Sequence, residues 1–265
     1  MMFAAAAFVA CEKDNGDQKG PNFGTVTYEG VTYKTVTLAD GNTWMAENLR
    51  YVPEGKTVSD VADGTTGVWY PYNVVEKEGA FTSEFAKDEE TIKTKGYLYA
   101  VNVAFGVSEL TAENVKTLEG CQGICPDGWH IPTLDELISL VGKGPKLSSA
   151  AVGSYEMGTT PEDKDAVFYN ETYDGGNIKE MNEAGFGFVY SGAKNGAKLM
   201  SGGKEYETKP MTYLLGSTFY NTGNTGVHQF LSLMSTCNAT YPEGRLAAAF
   251  QNHTMVSAVR CVKNK

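Results

Sequence analysis

From Thr25 onward, apolar and polar residues alternate as Val26-Thr27-Tyr28 and Val31-Thr32-Tyr33-Lys34-Thr35-Val36-Thr37-Leu38. Glu29-Gly30 and Ala39-Asp40-Gly41 interrupt this run at the points where a chain would turn. The pattern predicts two or three antiparallel strands opening the domain. The chain closes on a second alternating run, Val256-Ser257-Ala258-Val259-Arg260-Cys261-Val262, which reads as a last strand. Between them, periodicity changes once to a helical repeat. Thr133 with Glu136 three residues on forms a capping box, Leu134, Leu137, Ile138 and Val141 fall on one face, and Gly142 is placed to end the helix. Pro126-Asp127-Gly128 just before it is a turn.

The remaining segments are less regular. Lys77 to Lys95 is rich in charge and reads as solvated. Tyr97 to Phe105 is apolar enough for a buried strand or a helix start. From Ser148 to about Asn252, Gly, Asn, Ser, Thr and Tyr predominate, broken by short apolar pieces, which predicts long loops on a small sheet. Thirty glycines and fifteen tyrosines fit short strands and tight turns, so the expected class is α+β. With no internal repeat, 25–265 reads as a single domain.

The first residues have another character. The apolar run from Met1 to Ala10 stops at Cys11 and gives way to Glu12-Lys13-Asp14-Asn15-Gly16-Asp17. A short apolar run ending in a small residue before Cys is how a bacterial lipoprotein begins. Residues 1–10 are therefore expected to be a signal peptide, Cys11 the lipidated residue and 11–24 a flexible tether. The run is short and lacks a preceding Lys or Arg, as if the reading frame began upstream of Met1. It also falls short of the roughly twenty apolar residues of a membrane-spanning helix.

Charge and cysteines narrow the chemistry. A net charge of −10 with no basic run excludes nucleic acid as a partner. Once Cys11 is lipidated, Cys121, Cys125, Cys237 and Cys261 form an even set. In an oxidising compartment this predicts two disulfides, with three pairings open. A zinc site is the weaker alternative, because Cys237 and Cys261 lie too far apart to be a second close pair. His130, His228 and His253 are single and scattered, so no metal or other cofactor is expected, and His130 reads as a hydrogen-bonded structural residue. Ser201-Gly202-Gly203-Lys204 has the spacing of a Ser-Lys nucleophile without its companion motifs and reads as a turn. It also fails as a phosphate loop, since Lys198 stands where the first Gly belongs and Glu205 where Ser or Thr does. The aromatics Trp69, Tyr70, Tyr72, Tyr169, Tyr173, Tyr220 and Tyr241 are candidate ligand contacts, because sugars stack on rings. Trp44 and Trp129 read as core anchors, and Asn48 and Arg260 as buried polar residues.

Three segments in order, Trp44-Met45-Ala46-Glu47-Asn48-Leu49, Cys125-Pro126-Asp127-Gly128-Trp129-His130-Ile131-Pro132 and Val259-Arg260-Cys261-Val262-Lys263, resemble the Fibrobacter succinogenes major paralogous domain family, over about Val26 to Lys263. That family is common in lipoproteins and surface proteins of Bacteroidetes and Fibrobacteres. It looks like a branch of the C-type lectin-like fold, close to the formylglycine-generating sulfatase-modifying domains. The resemblance implies small antiparallel sheets with one or two short helices, long variable loops and paired first and last strands. It also implies a Cys125–Cys261 bridge, which leaves Cys121 and Cys237 for the second. Residues 106–124 and 143–213 depart from the family pattern as insertions. The sugar-site signatures of calcium-dependent lectins are absent, and a formylglycine-type enzyme would need a free cysteine pair. The expectation is a lipid-anchored module on the outer membrane surface that binds a glycan or protein and is not an enzyme. The runner-up is a structural or tip subunit of a surface assembly, and the less favoured third reading is an enzyme related to the formylglycine-generating proteins, which requires a free, reactive cysteine.

Overall fold

A computed structural model describes residues 20–142, 166–168, 178–200, 209–220, 228–236 and 244–265. Strands β1 (Asn22–Tyr28) and β2 (Val31–Thr37) form a regular antiparallel hairpin. The two loop residues, Glu29 and Gly30, both have positive φ (47° and 75°), which matches the right-handed twist of the flanking strands. β1 starts at Asn22, so the domain begins three residues before the expected Thr25. β3 (Thr43–Met45) continues the sheet after a turn in which Asp40 Oδ1 accepts the Asn42 amide at 3.0 Å.

Short β4 (Val58–Ser59) and β5 (Val68–Trp69) pair in parallel. The charged stretch that follows is solvated, as read, and is also regular. β6 (Tyr72–Lys77) and β7 (Ala80–Phe85) form a hairpin, and α1 (Glu89–Lys95) follows, capped by the Asp88 carboxylate on the Thr91 amide. Tyr97 to Phe105 is both of the expected alternatives in succession, β8 (Leu98–Ala100) running into α2 (Val101–Ala104). β9 (Trp129–His130) precedes α3 (Leu134–Val141), which has the expected capping box and ends at Gly142 with φ 70°.

The later part of the chain holds α4 (Ile178–Glu183), then β10 (Lys194–Asn195) and β11 (Lys198–Leu199). β12 (Thr212–Tyr220), β13 (Gln229–Thr236) and β14 (Arg245–Asn252) are long antiparallel strands, not loops on a small sheet. The closing run is two strands, β15 (Met255–Ala258) and β16 (Val262–Lys263), separated by Val259-Arg260-Cys261.

Two main sheets result. One has the order β1-β2-β3-β16-β9, and the other β14-β13-β12-β15-β8-β5-β4 with β10 and β11 attached through β15. The chain thus crosses from the larger sheet to the smaller one at residues 259–261. The last strand pairs with β3 and β9 and not with the first strand, a correction to the expected pairing. The middle of the smaller sheet, β2, β3 and the β16 region, carries buried residues on both faces, while β1 is mostly exposed. Val36, Trp44 and Val262 join Phe186, Met181 and Leu137 in one cluster, and Tyr33, Met45 and Cys261 join Tyr99, Trp129 and Phe230 in another. Trp44 and Trp129 are core residues, as expected.

His130 ties this sheet to α3 and to the end of the chain. Its Nδ1 lies 2.7 Å from Asn264 Oδ1, and its Nε2 lies 2.9 Å from Glu136 Oε2. The Glu136 bond raises the His130 pKa above 6.5 against an opposing contribution from burial. Burial raises that of Glu136, but bonds from His130 and Thr133 outweigh it and hold it below 4.5. The His130 contribution is complete below its unfolded value and lost as pH rises through the folded one. The Glu136 contribution is complete above its unfolded value and lost as pH falls through the folded one. The pair therefore stabilises most between pH 4.5 and 6.5. Denaturant titrations of wild type and His130→Gln should differ by about 1 kcal/mol near pH 5.5, shrinking toward pH 8.5. A difference that does not vary with pH would refute the ion pair.

Candidate ligand groove and the clasp beneath it

Arg260 is 1% exposed, and its guanidinium meets only neutral oxygens. Nε and Nη2 donate to Asn48 Oδ1 (2.9 and 2.7 Å), Nη1 to Phe186 O (2.6 Å) and Nη2 to Gly187 O (3.0 Å). The plane stacks on the Phe186 ring at 4.5 Å. Burial lowers its pKa to about 9, partly offset by the Glu47 carboxylate, so it stays charged at neutral pH. Asn48 completes the arrangement by donating Nδ2 to Lys95 O (2.9 Å) and Ser191 Oγ (2.8 Å). One buried clasp thus joins the Trp44–Leu49 motif, the closing motif, the end of α1 and residues 186–191. Asn48 and Arg260 have the buried polar character read from the sequence. Nearby, Cys125 and Cys261 are bonded with Cα atoms 5.9 Å apart, as the family resemblance implied.

Above the clasp lies an open groove of about 480 Å³ between the smaller sheet, α1 and the segment after α4. Its floor is small by necessity. A Cβ on Gly187 (φ 68°) would sit 2.6 Å from Ala46 O, and one on Gly185 (φ 89°) 2.7 Å from the Phe23 ring. Because Gly187 O is held by Arg260, the clasp fixes the floor. The walls carry Lys34, Glu47, Glu90 and Lys93, two charges of each sign, and Phe23 stands at the rim 56% exposed. Thr94, Asn182 and Val189 also line an adjoining hollow of about 430 Å³. An aromatic face beside balanced charges on a fixed backbone floor is equipped to bind a ligand that is polar and nearly neutral overall.

The candidate aromatics do not converge here. Trp69 is 4% exposed beneath the Lys194 ammonium, 4.1 Å from its ring, and Tyr72 is fully buried with its hydroxyl on Ala193 O at 2.7 Å. As ligand contacts both are corrected, since each is occupied in the core. Tyr70 is half-buried edge-on to Tyr97 (5.9 Å), and Tyr220 is half-buried against Phe250 (4.7 Å). Tyr169, Tyr173, Tyr241, Cys11 and Cys237 lie outside the described residues, as does Ser201 to Lys204. Phe23 lies within 11–24, which reads as tether, but its place opposite Val36 on β1 makes it part of the sheet.

Cys121 carries a free thiol, at odds with the second bridge expected of it. Burial pushes its pKa up to about 11, the reverse of what a nucleophilic cysteine needs. His228 and His253, expected to be scattered, come together with rings 5.4 Å apart, and the His228 amide donates to His253 Nδ1 at 3.1 Å. No third metal-binding side chain joins them among the described residues.

These motifs, folded into one sheet and one clasp, define an α+β domain of a recognised family. The chain belongs to the Fibrobacter succinogenes major domain family, which matches residues 39–263 and so starts later than the Val26 expected. No curated protein and no solved structure matches the chain.

Proposed function

We propose that the chain is a lipoprotein anchored through Cys11 at the outer membrane surface, whose C-type lectin-like domain binds a glycan or protein in the groove at Phe23. The groove carries this reading: an exposed ring, hydrogen-bonding side chains of both charges and a floor fixed by buried hydrogen bonds. Surface location is supported by the apolar run ending at Cys11 and by the Cys125–Cys261 bridge, which suits an oxidising compartment. Among the described residues no helix is long and apolar enough to cross a membrane. The unactivated Cys121 thiol supports binding over cysteine chemistry. A second reading, a subunit of a surface assembly, is favoured by the outer edge of β1, which pairs with no other strand among the described residues.

The labelled full chain screened on a glycan array should show a defined set of ligands. Phe23→Ala and Lys93→Ala should each weaken binding about tenfold or more, with the melting temperature little changed. A bare array, or ligands held equally well by both variants, would overturn the groove as a glycan site.

A further inference from the structure

Among the described residues β1 ends the smaller sheet, and the direction of its backbone groups follows from its neighbour. The Lys34 amide donates to the Glu47 carboxylate and its carbonyl accepts from the Ala46 amide at 2.8 Å, so Lys34 faces away from β1. Its cross-strand partner is Thr25, and the two form a non-hydrogen-bonded pair. The N–H and C=O of Thr25 therefore point off the sheet, as do the backbone groups of Thr27 and the C=O of Phe23. The edge is seven residues long, regular in register and mostly exposed, and it has no charge, proline or bulge. Natural sheets usually blunt such an edge with one of these features.

We propose that β1 is the seam of a two-fold homodimer, in which it pairs antiparallel with β1 of a second copy, centred on Thr25. Charge and self-complementarity favour a second copy as the occupant. On a chain of net charge −10 most surfaces repel a second copy, whereas this strand carries no charge. In the two-fold register Thr25 faces the partner's Thr25, a favourable β-branched pair. Phe23 faces the partner's Thr27, and Glu29 falls opposite the partner's Pro21, so no like charges are directly opposed. The seam uses the backbone edge of β1, whereas the groove uses the Phe23 side chain on a face of the same strand. The seam also lies ahead of the matched residues 39–263. One strand pair is smaller than a standard interface, so the dimer should be weak, with Kd on the order of 100 µM.

Sedimentation velocity of the unlipidated full chain (Cys11→Ser) over roughly 10 µM to 1 mM tests this. The chain should dimerise with rising concentration. Thr25→Pro should weaken dimerisation at least tenfold, because the lost N–H points off the sheet and the β1–β2 ladder is untouched. Thr25→Lys and Thr25→Glu should each abolish self-association, and their equimolar mixture should form a heterodimer. That rescue cannot come from misfolding and fixes the register. A wild-type chain that stays monomeric throughout would overturn the proposal. So would dimers that persist in Thr25→Pro, or Lys and Glu variants that fail to pair.

Discussion

Converting Cys125 and Cys261 to alanine should lower the melting temperature by roughly 10 to 20 °C, the largest effect expected from removing one covalent link. The bridge spans 136 residues of sequence. Closing so long a loop removes about 4 to 5 kcal/mol of unfolded-chain entropy, and a domain of this size shifts a few degrees per kcal/mol. The effect should be global, because the bridge pins the crossover between the two sheets. Reductant should reproduce it in wild type and add nothing in the double variant. A shift under about 3 °C would mean that the crossover is held without the disulfide.

Arg260→Met should cost about 3 to 5 kcal/mol although methionine fills much of the same space. It leaves Asn48 Oδ1, Phe186 O and Gly187 O without their donors in a dry site. Asn48→Ala should destabilise comparably, and the double variant by much less than the sum, because both remove one network. Denaturant unfolding measures all three. Ligand binding should fall as well, since Arg260 holds the carbonyl of the groove floor. Additive costs would show that the two residues do not act as a unit.

What the sequence disclosed follows from locality. The β1–β2 turn and the capping box of α3 are set by residues within a few positions of each other, and both form as read. The strands β12 to β14 escaped because their pattern does not alternate. Thr212 to Ser217 is buried on both sides, and Ser217, Ser232, Ser235 and Gln251 are polar residues that hydrogen-bond inside the sheet region. A break in register between Leu214 and Thr218 further hides the strand. There Gly216 lies so close to Leu231 O that no Cβ fits. The clasp joins residues 212 apart in sequence, so their burial was legible but their pairing was not. The residues alone left three disulfide pairings open, and the choice of Cys125 with Cys261 came from family resemblance. The groove was missed because its floor is backbone and its one exposed ring sits at the start of an edge strand.

Fatty-acid labelling of cells expressing the chain, followed by protease treatment of the intact cells, tests the surface-anchored reading most directly. The lipid-anchored chain should be labelled and digested by protease on whole cells, and a Cys11→Ser variant should take up no label. An unlabelled wild-type chain, or one shielded from protease until the cells are broken, would contradict it.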